Sequence, residues 1–350
     1  MPDTDRRPLT ALPAPRRVSR TVVFLVITAV CTLVAVGFVV VPLLSDDTLS
    51  GGVQSITGPL AAPAARTVPY VAFQGVASGD RDHLGLAALA DRKQSLTVTP
   101  LRCQRVDIAG GRGLCLLAEG ATLRTAFKAL IFGPDFKVQR TVSLGGLLSR
   151  ARVSPDGRYG ATTAFLAGHS YVTSGQFSTS TTLLDLTTGK KLYNLEKLDI
   201  TRDGKPFRAV DFNYWGVTFA NDGKRFYATL ASGHKTYLVE ADVETRTGRV
   251  IRENVECPAL SPDNTRIAFK KRVESGKGPW RFTVLDLKTM RETPLAESQS
   301  VDDQAAWLDN DHVLYGYKNA VWTVRADGSD RPRLYLSGAL SPTVVRPAAA

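Results

Sequence analysis

Two hairpin patterns that alternate along the chain, a spacing of about 45 residues between copies, and an incomplete copy at each end predict an all-β fold. The expected architecture is a six-bladed β-propeller with four-stranded blades, preceded by one N-terminal transmembrane helix. The first pattern is an apolar residue or two, a polar turn, then an apolar strand. Its copies are "IAGGRGLCLL" from Ile108, "SPDGRYGA" from Ser154, "FANDGKRFYAT" from Phe219, "LSPDNTRIAF" from Leu260 and "WLDNDHVLYG" from Trp307. Pro presets one φ, Asp bonds nearby amides and Gly or Asn accepts positive φ, so these are turns joining two strands. The turn positions Gly111, Gly157, Gly223, Asn264 and Asp311 are separated by 46, 66, 41 and 47 residues, a regular repeat with one insertion.

A second register lies between those turns: "LAALADRKQSLTV" from Leu86, "ALIFGPDFKVQRTV" from Ala129, "TLLDLTTGKKLYNL" from Thr182, "LVEADVETRTGRVIRE" from Leu238, "TVLDLKTMRETPL" from Thr283 and "WTVRADGSDRPRLYL" from Trp322. Each reads as strand, polar turn, strand. Two hairpins per repeat make four strands, the content of one propeller blade. The folded region begins near Tyr70 without a first hairpin of its own and closes on "GALSPTVV" from Gly338, an opening strand with no blade after it. If that last strand completes the first blade, the ring is sealed and no long edge stays unpaired. Trp307, Tyr315, Tyr317 and Trp322 fall in strand positions, where packing between blades is their expected use.

The elements before residue 70 follow from charge and apolarity. Residues 21–44 contain no charged residue in 24 positions, enough for a helix to cross a bilayer. That length exceeds the apolar region of a cleavable signal peptide, so a signal anchor is expected, although the small residues of "LAAPAAR" leave later cleavage open. Residues 1–20 carry Arg6, Arg7, Arg16, Arg17 and Arg20 against Asp3 and Asp5, which places this basic tail in the cytoplasm and the rest of the chain outside. Residues 45–69, rich in Ser, Gly, Pro and Ala, read as a flexible linker, and residues 70–346 as the propeller. The whole chain has a net charge of +11, and the basic surplus outside the membrane suits an anionic partner or a solvated surface. The arginines beside the apolar run are explained by topology, so nucleic acid is not an expected partner.

Cys103 and Cys115 flank "QRVDIAGGRGL", whose central Gly-Gly reads as a hairpin turn that brings the two cysteines into cross-strand register. A disulfide between them fits an oxidising exterior. Cys31 lies in the apolar run, and Cys257 is left over with no motif around it.

With "SPDG" at 154–157, "SPDN" at 261–264 and "ANDG" at 220–223, the region from Tyr70 to Arg346 resembles the TolB-like six-bladed propellers. The resemblance implies the fold. Proteins of this kind include periplasmic translocation proteins, peptidases and wall-associated proteins, so it leaves the activity open. The protein that gives the family its name is expected to carry an N-terminal α/β domain, where this sequence has a linker.

Reactive patterns are missing. There is no G-x-S-x-G elbow, no P-loop, no C-x-x-C and no calcium loop, and His83, His169, His234 and His312 never fall in metal-ligand spacing. No catalytic residue, cofactor or metal is therefore expected. The insertion comprises two loops, residues 167–180 and 197–215, which offer Tyr171, Phe177, Phe207, Arg208, Tyr214 and Trp215 as possible partner-binding residues. The same aromatics could instead fold back onto the neighbouring strands. The expected function is a membrane-anchored, extracytoplasmic, non-enzymatic module that binds a protein or a cell-envelope polymer. The alternative is a propeller enzyme or small-ligand-binding protein with its site in the central channel.

Overall fold

The computed structural model describes residues 19, 21, 24–32, 68–77, 79, 81–90, 96–120, 125–172 and 177–346. The chain divides into two units, Met1–Val53 and Gln54–Ala350. In the first, Thr21 and residues 24–32 are helical, and the Thr28 and Thr32 hydroxyls donate to the carbonyls four residues back. No helix among the described residues is long and apolar enough to cross a membrane. The remainder of the expected span at 21–44, nearly all of the tail at 1–20 and most of the linker at 45–69 lie outside the described residues.

In the second unit, short segments rich in Val, Leu, Phe and Thr alternate between two faces, and both faces are covered. Six sheets result. From the inside outward, blade 1 is Ala339–Val345, Tyr70–Gly75, His83–Ala88 and Thr97–Arg102. Blade 2 is Arg105–Ala109, Arg112–Glu119, Ala126–Phe132 and Val138–Leu144. Blade 3 is Leu147–Val153, Tyr159–Ala167, Ser178–Asp185 and Lys190–Asn194. Blade 5 is Glu256–Leu260, Arg266–Arg272, Trp280–Asp286 and Glu292–Pro294, and blade 6 is Ala306–Trp307, His312–Tyr317, Ala320–Arg325 and Arg333–Ser337. Blade 1 takes its innermost strand from the end of the chain, with Tyr70 opposite Val345 in antiparallel register. This is the closure expected from the unfinished last repeat.

Blade 4 departs from the four-strand expectation. Its strands Asn213–Phe219, Arg225–Ser232, Lys235–Asp242 and Thr247–Glu253 are extended outward by a hairpin, Asp199–Arg202 and Lys205–Phe207, giving six. The second of the two expected loops, residues 197–215, therefore contains a strand hairpin. The hairpin joins by a parallel pairing of Asp199–Thr201 with Thr247–Arg249. Ile200 is buried, and the Phe207 ring packs on Phe212 at 5.0 Å and Tyr237 at 5.6 Å, which anchors the added strands.

Among the described residues the core has one layer in each of the six gaps between blades, and a seventh cluster of Phe165, Tyr171, Trp215, Cys257 and Trp280. Leu114 and Leu116 of blade 2 face blade 3, whereas Cys115 and Leu117 of the same strand face blade 1. Period-two alternation thus supplies both neighbours from one strand, and each fully buried Leu or Phe contributes about 2–3 kcal/mol. Trp307 donates its indole N–H to the Ala259 carbonyl at 2.8 Å, locking blade 6 to blade 5.

The repeated turns share their atoms as well as their letters. In the Ser154 turn, Asp156 Oδ1 accepts from the Ser154 hydroxyl at 2.5 Å and the Arg158 N–H at 3.0 Å, and Ser154 Oγ accepts from the Tyr159 N–H at 2.8 Å. In the Ser261 turn, Asp263 and Ser261 repeat this with Thr265 and Arg266. Gly110 shows why one such position must lack a side chain. Its φ is +53°, and a Cβ there would lie 2.2 Å from the Asp156 backbone of the next blade.

Candidate functional site

Each of the residues offered by the insertion has a definite place. Tyr171 and Trp215 are each 1% exposed and form an aromatic cluster with Phe165 and Phe177, with ring centroids 4.6 to 5.8 Å apart. Tyr214, also 1% exposed, joins the layer between blades 3 and 4, and burial pushes its phenol well above the usual range. Phe177 and Phe207 are half-buried. Arg208 alone of the six is exposed, paired with Asp199 at 2.5 Å. The insertion therefore does not display an aromatic patch. Burial of large rings outweighs any pull to leave them in water.

Cys103 and Cys115 form a disulfide with Cα atoms 5.3 Å apart. The Arg105–Ala109 and Arg112–Glu119 hairpin turns at Gly110 and Gly111 as expected, but Cys115 stands opposite Val106, not Cys103. Cys103 precedes that strand, at the crossing from blade 1, so the bond ties the crossover to blade 2. Cys257 is buried and unbonded, its N–H donating to Thr229 Oγ1 at 2.9 Å.

The chemistry lies on the ring axis. In the innermost strands of blades 2 and 3, Arg105, Asp107, Arg150 and Arg152 recur at period two where apolar residues would fill a sheet interior. Arg150 and Arg152 reach across the channel, whereas Arg105 and Asp107 bond to the adjacent blades. Arg152 donates to the Ala305 carbonyl at 2.5 Å, and Arg150 Nη2 reaches both the backbone oxygen and Oδ1 of Asp302 at 3.1 Å, so blade 3 is bridged to the junction of blades 5 and 6. Lys270 Nζ donates to the same Oδ1 at 2.7 Å. Arg105 donates to the Ser149 carbonyl at 2.9 Å and the Gln104 carbonyl at 2.8 Å. Aromatic faces back these cations: Arg150 lies 5.1 Å from the Tyr171 ring centroid, and Lys270 5.0 Å from that of Trp280.

Titration follows from this crowding. Burial lowers the Arg105 and Arg152 affinities for their protons against the pull of nearby carboxylates. For Asp302 burial acts to raise the value, but Lys270 and Arg150 outweigh it and hold the carboxyl below its ordinary range. Glu256, fully buried, goes the other way: burial raises it although Arg272 Nε lies 2.6 Å away.

The two ends of the channel differ. Toward the turns between first and second strands, all six innermost strands line a cavity of about 170 Å³ that includes Asp107, Arg152, Asn221 and Arg346. On the opposite side, where loops lead from one blade to the next, Arg105, Arg150, Lys270 and Asp302 close the axis. Among the described residues no group of three or more His, Cys, Asp or Glu side chains could hold a metal ion.

No family model matches the sequence, and no curated protein matches it. Solved structures do. TolB from Acinetobacter baumannii superposes with a TM-score of 0.56 at 17% identity, covering 81% of this chain and 68% of that one. The fold is that of a TolB-like propeller. A chain of a nidogen/laminin complex superposes with a TM-score of 0.54 at 10% identity, covering 79% of this chain and 98% of that one. At these identities the likeness of the TolB-like propeller to its neighbours concerns architecture, and the axial residues speak for themselves.

Proposed function

We propose that this TolB-like propeller is a membrane-anchored, extracytoplasmic binding module that receives an anionic partner, a protein or a cell-envelope polymer, on the loop side of its ring. The observation that carries the reading is the convergence of Arg150 and Lys270, from blades 3 and 5, on the single carboxylate of Asp302, with Arg105 of blade 2 bonded to the Ser149 carbonyl next to Arg150. Cations held in a low-dielectric site attract and orient negative groups. The uncharged run at 21–44 and the five arginines before it support anchoring with the propeller outside. The neighbour from a nidogen/laminin complex belongs to a protein assembly, in keeping with a role in binding. The turn-side end of the channel offers a small ligand little room: its cavity of about 170 Å³ is less than the roughly 300 Å³ at which ordinary ligand pockets begin.

Cross-linking of the full chain in its native membranes, read by mass spectrometry, tests the proposal. Partner peptides should attach around the loop-side mouth, near Arg272 and the blade 5 to blade 6 junction. Attachment confined to the turn side, or to none of the propeller, contradicts it.

A further inference from the structure

Two neighbouring carboxylates at the blade 5 to blade 6 junction are held in opposite ways. Asp303 is buried, and it accepts from the backbone N–H groups of Gly316 at 3.0 Å and Ser341 at 2.8 Å and from the Ser341 hydroxyl at 3.0 Å. Its bonding capacity is spent inside the fold. The Asp302 side chain is 39% exposed, and its Oδ1 is shared by Lys270 and Arg150, whose side chains are only 1% and 5% exposed. The cations therefore lie deeper than the anion that neutralises them.

Asp303 and Glu256 also supply negative charge here, yet the four cations Arg105, Arg150, Lys270 and Arg272 still outnumber the three carboxylates of Asp302, Asp303 and Glu256. Arg105 adds a third buried cation whose described hydrogen bonds go to uncharged oxygens of Ser149, Gln104 and Gln74. Arg150 Nε is buried and has no hydrogen-bond partner. Buried cations short of counter-charge are unfavourable, and a carboxylate that water reaches is the part of such a cluster that can be exchanged.

We propose that Asp302 is a built-in stand-in for a partner protein's carboxylate, resting on Lys270 and Arg150 until a side-chain or C-terminal carboxylate of that partner displaces it. The inference rests on the loop-side binding reading and narrows it to a protein partner with an exposed carboxylate. A carboxylate is favoured because one already fits there, with a single oxygen in hydrogen-bond range of both cations. Displacement exchanges one set of charge-assisted bonds for another, so affinity comes from what the partner adds around the carboxylate, and selectivity from the requirement for the carboxylate itself.

Asp302→Asn keeps the shape and removes the charge. Thermal unfolding of the full chain in detergent micelles is followed in acetate, with chloride and phosphate at equal ionic strength beside it. The D302N variant should melt below wild type in chloride and recover in acetate, with acetate bound about tenfold or more tighter than by wild type. Adding Lys270→Gln should abolish that gain. No response of D302N to acetate beyond chloride, a gain that survives K270Q, or better recovery in phosphate than in acetate overturns the proposal. If D302N does not fold, Asp302→Ser is put through the same comparison: acetate must stabilise it beyond chloride, and no such response overturns the proposal. Since acetate needs no partner, an acetate response without loop-side cross-links would refute the broader reading alone, and the reverse would refute only the exchange.

Discussion

The turn side of the ring and its loop side are built by different rules. On the turn side, Asp156 and Asp263 serve backbone N–H groups within two residues of themselves, so each turn is a local device repeated from blade to blade. On the loop side, Arg150 of blade 3 meets Asp302 from 152 residues away, and among the described residues no other blade repeats the pair. Repetition marks scaffold here, and its interruption marks the place where the scaffold carries something specific.

Substitutions on the two sides should separate accordingly. The largest effect is expected at the axis, where Asp303→Ala strands two backbone N–H groups and a hydroxyl in the interior. It should lower unfolding free energy by about 3 kcal/mol in a denaturant titration, and a loss under about 1 kcal/mol would show that the axis tolerates change as a turn does. Asp156→Ala should cost about 1 kcal/mol or less, because only local turn bonds are removed. The smallest effect is a matter of pH. Asp286 accepts from the Thr289 N–H at 2.7 Å, the Thr289 hydroxyl at 2.8 Å and the Lys288 N–H at 3.0 Å, and these bonds depress its pKa. A depressed carboxylate stabilises the fold fully above its unfolded value of about 3.9 and loses that contribution as pH falls through the folded value. Asp286→Asn should therefore flatten the acid limb of a stability profile measured from neutral to acid pH, and an unchanged limb would remove Asp286 from the turn account.

The sequence announced the parts that are local. Pro-Asp-Gly turns, the Gly110–Gly111 hairpin and the unfinished last repeat all follow from chemistry within a few residues, and blade count and closure came with them. The Asp of the second register, at 185, 242, 286 and 327, is a further local signal: each caps its own turn, as Asp185 does for Thr187 and Thr188. The hairpin at 199–207 was less legible, because Pro206 and a run of charges look like loop until Ile200 and Phe207 find apolar neighbours. For Tyr171 and Trp215 the sequence left display and folding back both open, and packing against Phe165 and Phe177 decided their place. The axial cluster leaves no spacing to find. Its one trace is charge at period two in the strands that begin at Arg105 and Leu147.

The central claim is that binding resides on the loop side of the axis and the turns only hold the ring. The direct test is membrane cross-linking of Lys270→Gln and Asp156→Ala side by side, at matched amounts of folded protein. The account predicts that Asp156→Ala retains the partner and Lys270→Gln loses it. Loss in Asp156→Ala with retention in Lys270→Gln, or equal capture by both, would contradict it.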